Sequence, residues 1–66
     1  MNLFDYAGKK VKIIDTDNQK HIGFVFGCTK AEDNDENEDS IDIIPTKNAM
    51  EGIELFESEI KSIEII

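Results

Sequence analysis

Six carboxylates stand within eight consecutive residues: Glu32, Asp33, Asp35, Glu36, Glu38 and Asp39, with Asn34 and Asn37 between them and no base. An oxygen-rich run of this kind can hold a hard cation or meet a basic partner. Asp33, Asp35 and Asn37 match the first three ligand spacings of an EF-hand loop. Glu38 then stands where that loop needs glycine, and Ile44 where it needs a bidentate glutamate. The flanks read as strands instead of helices. The run is therefore not an EF-hand, and at most a weak, adventitious Ca²⁺ site is left. The other two readings are a solvated, mobile loop and an acidic surface that meets a basic protein.

The remaining reactive side chains are isolated. His21 is the only histidine and has no second ligand or nucleophile near it in sequence. Cys28 is the only cysteine, with no cluster of cations placed to lower its pKa. Its parity with Phe24 and Phe26 suggests a small buried hydrophobe. Phe24, Phe26 and Phe56 could stack bases, but such platforms sit in cationic grooves. With a net charge of −8, core packing is the better reading of all three. No Gly-rich phosphate loop, nucleophile elbow or metal-ligand spacing is present. The chain is expected to be non-catalytic and to need no cofactor.

Charge points the same way. All seven bases are lysine, and arginine, the usual bidentate reader of phosphate and guanine, is absent. A net charge of −8 repels nucleic acid and anionic lipid. Lys9, Lys10, Lys12 and Lys20 gather near one hairpin. They read as a solvated face, or as one pole of a dipolar molecule that associates head to tail.

Sixty-six residues make a single domain, 1–66, too small to bury a large core alone. One cysteine allows no internal disulfide and suits a reducing compartment. Met1 to Gly8 lacks the basic head and apolar run of a signal peptide. The apolar runs are far short of the roughly 20 residues needed to span a membrane. A cytoplasmic location is expected.

The elements that must position these residues are short. Asn2 to Tyr6 reads as one helical turn that needs something to pack on, with Asn2 as cap and Gly8 as stop. Lys9 to Asp15 alternates with Val11 and Ile13 inward, and Asp15 to Gln19 is a turn. His21 to Lys30 is a long strand with apolar residues on both parities. Its two glycines, Gly23 and Gly27, suggest a bend or bulge. Ser40 to Ile44 places Ile41 and Ile43 on one face, before Pro45. Gly52 to Phe56 puts Ile53 and Leu55 inward, Glu57 to Glu59 suits a 3₁₀ turn, and Ile60 to Ile66 puts Ile63 and Ile65 inward. The expected fold is all-β: a small five-stranded antiparallel barrel with a short N-terminal helix.

This order of elements resembles the Sm-like (LSm) family, with SH3-like barrels as the alternative. Tyr6-Ala7-Gly8-Lys9-Lys10-Val11-Lys12-Ile13 is similar to the family's passage from helix to first strand. Gly23-Phe24-Val25, Ser40-Ile41-Asp42-Ile43 and Glu59-Ile60-Lys61-Ser62-Ile63-Glu64 look like its second, third and fifth strands. Members that bind uridine-rich RNA carry an Asp-x-x-x-Asn set after the second strand and a basic residue with glycine before the last. Here those places hold the acidic run and Phe56-Glu57-Ser58, so no RNA-binding residue carries over.

The resemblance implies that the fourth strand of one copy can pair with the fifth of the next and build a ring. The expected function is a non-catalytic interaction module. It binds a protein partner, or a second copy as a homo-oligomer, through strand edges or the acidic residues Glu32, Asp33, Asp35, Glu36, Glu38 and Asp39. The alternatives are a divergent RNA-binding protein and an acidic mimic of nucleic acid.

Overall fold

The computed structural model covers residues 1–66. It contains five antiparallel strands: β1 (Lys10–Asp15), β2 (Lys20–Thr29), β3 (Ser40–Ile44), β4 (Ile53–Phe56) and β5 (Ile60–Ile65). They form one sheet in the order β4-β3-β2-β1-β5. The only helical pieces are 3₁₀ turns at Leu3–Tyr6, Ala31–Asp33 and Glu57–Glu59. The expected N-terminal helix is thus a single 3₁₀ turn. No helix is long and apolar enough to cross a membrane.

Local chemistry explains these boundaries. Asn2 Oδ1 accepts from Phe4 N at 3.1 Å and opens the first turn. Gly8 then takes φ +77°, a left-handed conformation that glycine adopts without strain. Its N–H donates to Val25 O at 2.9 Å, tying the turn to β2. Asp15 closes the β1–β2 hairpin, its Oδ1 accepting from Asp17 N and Gln19 N, both at 2.9 Å.

Strands β4 and β5 lie at opposite edges of the sheet, yet only Glu57–Glu59 separates them. Four strand spacings in a flat sheet would put those edges about 19 Å apart. The chain from Phe56 to Ile60 reaches about 14 Å at full stretch. The sheet must therefore roll at that end. Two irregularities of register help it: one in β2–β3 between Val25 and Gly27, the other in β1–β5 between Ile14 and Asp15. The rolled sheet stays open, because none of its ladders joins β4 to β5.

The inner face holds Val11, Ile13, Val25, Ile41, Ile43, Leu55 and Ile60, and Leu3 from the first turn is buried among them. Strand β2 explains why both of its parities are apolar. Val25 faces in opposite Ile43, Phe26 is the extra residue of the bulge, and Cys28 faces in opposite Ile41. Ile22, Phe24 and Phe26 are left on the outer face. Core packing of the phenylalanines is therefore a misreading: Phe26 is 61% exposed, and Phe24 and Phe56 are only half-buried. A bulge changes side-chain parity, and strict alternation cannot foresee it.

Gly23 sits where β2 crosses closest to the end of β3. A Cβ there would lie 2.4 Å from Ile44 O, a backbone atom that cannot swing aside. Gly23→Ala should destabilise the fold by about 1–3 kcal/mol, as overpacking commonly does, read from the midpoint of urea unfolding.

Candidate functional site

The acidic run divides by role. Asp39 Oδ1 accepts from Ala31 N at 2.8 Å and closes the loop on its own 3₁₀ turn. The Glu38 carboxylate accepts from Ser58 N at 2.8 Å and Ser58 Oγ at 3.1 Å, tying the loop to the β4–β5 turn. Asn34 Nδ2 donates to Glu38 O and to Ser40 Oγ, and Ser40 Oγ donates to Glu54 Oε2. Asn37 takes φ +58°, a conformation asparagine tolerates better than most residues. Two of the six sequence-selected acids thus have a structural task. The other four, Glu32, Asp33, Asp35 and Glu36, are exposed, and none is in an ion pair. No three His, Cys, Asp or Glu side chains converge as a metal site would require.

Cys28 and His21 occupy different places. Cys28 is half-buried against the core, with Sγ 3.6 Å from Leu3 O. Burial, aided by the nearby Asp42 charge, pushes its thiol above the usual range. Burial likewise raises Asp42, with Glu54 opposite it on β4 adding like-charge repulsion. His21 Nε2 lies 2.8 Å from Asp15 Oδ2. That hydrogen bond, with the Gln19 and Asp17 amides, holds the Asp15 carboxyl below its ordinary range.

His21 also borders a groove of about 410 Å³ with Ile22, Ile43, Pro45, Gly52 and Ile53. This groove lies between the start of β4 and the parts of β2 and β3 that face it, with Glu51 at its rim. Ile53 pairs with Ile43, so it faces the core side, yet it is 44% exposed. On the other edge Ile65 pairs with the buried Val11 and is 56% exposed. The expected inward orientation of Ile53 and Ile65 fits these pairings, but neither residue is covered. Sequence periodicity reveals the face of a side chain, not whether a neighbour lies beyond the edge. The two edges, and not the acidic run, are where the inner face meets solvent.

No family model, curated protein or solved structure matches the chain.

Two measurements check this chemistry. The folded chain should alkylate at Cys28 more slowly at pH 8 than the urea-unfolded chain, because its raised pKa leaves less thiolate. Equal rates would contradict the thiol's burial. The Asp15 carboxyl is held below the ordinary carboxylate range in the fold, so its charge stabilises the native state above the unfolded pKa and the benefit fades as pH falls through the folded pKa. Urea midpoints of the chain and of Asp15→Asn should differ at pH 6 and converge in strong acid.

Proposed function

We propose that the protein is a non-catalytic, self-associating module of Sm-like barrel type, in which β4 of one copy pairs with β5 of the next. The observation that carries this reading is the pair of open edges, each with an uncovered isoleucine on its core side. An unpaired strand edge is a template for another strand. Natural edges are commonly guarded by lysine, proline or a bulge. The sequence of β4, Ile53-Glu54-Leu55-Phe56, has neither lysine nor proline, whereas β5 is guarded at its start by Lys61 and a register irregularity and is unguarded only from Ile63 to Ile65.

The side-chain pattern supports one register. Antiparallel pairing with Ile53 opposite Ile65 and Leu55 opposite Ile63 keeps all four side chains on the core face. It would continue the apolar interior from one copy into the next. Because the two edges differ, the contact is head to tail, and such contacts close into rings or run on as filaments. The small size of the domain fits this reading, since association supplies burial that one copy cannot. The order of elements and the rolled sheet support the Sm-like assignment. Among protein partners, a second copy is favoured over a basic protein at the acidic loop, because Glu38 and Asp39 already serve the loop's own structure. A soluble, cytoplasmic setting suits such a module.

Light scattering on the purified chain should give a defined multiple of 7.5 kDa. Ile53→Lys, which places a charge on the edge, should give the folded monomer. A monomeric wild-type chain at millimolar concentration would overturn the proposal.

A further inference from the structure

The outer face of the β1–β2 hairpin differs in character from the rest of the molecule. Its cross-strand pairs are Lys10 with Phe24, Lys12 with Ile22, and Ile14 with Lys20. Each couples one lysine with one apolar side chain, and neither strand contributes a carboxylate to this face. Lys47 adds a fourth cation. Its Nζ lies 5.2 Å from the Phe24 ring centroid, with Lys10 Nζ at 5.8 Å, both within cation–π range. Only Lys12 is in an ion pair, with Glu64 of β5 at 2.7 Å. Lys10, Lys20 and Lys47 have no acidic partner within the chain. Ile22 and Phe26 remain 45% and 61% exposed beside them.

We infer that this face is a docking surface for an extended acidic protein segment whose carboxylates alternate with apolar side chains. Charge complementarity selects the occupant. Lys10, Lys20 and Lys47, three lysines without an acidic partner in a chain of net charge −8, form a local reversal of sign, and the alternation of the face matches a strand-like peptide of opposite pattern. Of the chain's own acids, Glu64 of β5 is held by Lys12, and Asp42 and Glu54 share the outer face at the Gly27 end of β2, seven residues from Lys20. The acidic run begins beyond Thr29, five residues along β2 from Phe24. That is about 17 Å of strand, roughly two Debye lengths at physiological salt. Base stacking is disfavoured, because lysine nitrogens already lie over the Phe24 ring. The surface is distinct from the β4 and β5 edges, and its occupation does not depend on self-association.

The test is a titration of the isotopically labelled chain, followed by amide resonances, with a short synthetic peptide alternating glutamate and leucine. Shifts concentrated at Lys10, Lys12, Ile22 and Phe24 are expected. Lys10→Glu combined with Lys20→Glu changes exposed positions only. It should preserve the remaining spectrum and weaken binding about tenfold, as two reversed surface charges imply. Three results would overturn the inference: no shift on this face, equal shifts with polyglutamate, or stronger shifts there with a uridine oligonucleotide.

Discussion

Three residues joining the two opposite edges of one sheet constrain everything else in this protein. Because Glu57–Glu59 is too short to cross a flat sheet, the strands must roll until the ends of β4 and β5 meet. Rolling creates an inner face, which takes the eight buried apolar side chains. It also creates an outer face and two edges that nothing in the chain covers. The loop rich in acids helps hold the roll. Glu38 reaches Ser58 in the turn, and Asp39 O accepts from Glu57 N at 2.9 Å. Buried charge in such a small domain would be costly. Here the carboxylates that serve structure remain near solvent and bind amide and hydroxyl donors.

The uncovered parts have different chemistries. The edges are apolar on their inner side, at Ile53 and Ile65, and continue the core. The hairpin's outer face alternates lysine with isoleucine or phenylalanine. The loop presents bare carboxylates at Glu32, Asp33, Asp35 and Glu36. A small domain that buries little of its own surface gains from covering its edges first, because strand pairing satisfies backbone groups and apolar groups together.

Much of the fold is legible in the residues. Val11 and Ile13, Ile41 and Ile43, and Leu55 follow period two and are buried. The turn at Asp15–Gln19 and the 3₁₀ turn at Glu57–Glu59 follow from their residue types. Strand β2 is less legible. Gly23 and Gly27 announce a bend, but the place where parity changes depends on how β3 pairs with it, so nothing local shows that Cys28 faces in while Phe24 and Phe26 face out. The acidic run was visible as a feature and opaque as a structure. Glu38 makes its contacts twenty residues away, and nothing local signals a tertiary partner at that distance.

The proposed pairing of β4 and β5 with strands of other copies is tested most directly by amide hydrogen exchange measured across protein concentration. The outward amides of Ile53–Phe56 and Ile60–Ile65 should become more protected as concentration rises, while β2 and β3 stay unchanged. Exchange in β4 and β5 that is fast and independent of concentration would contradict it.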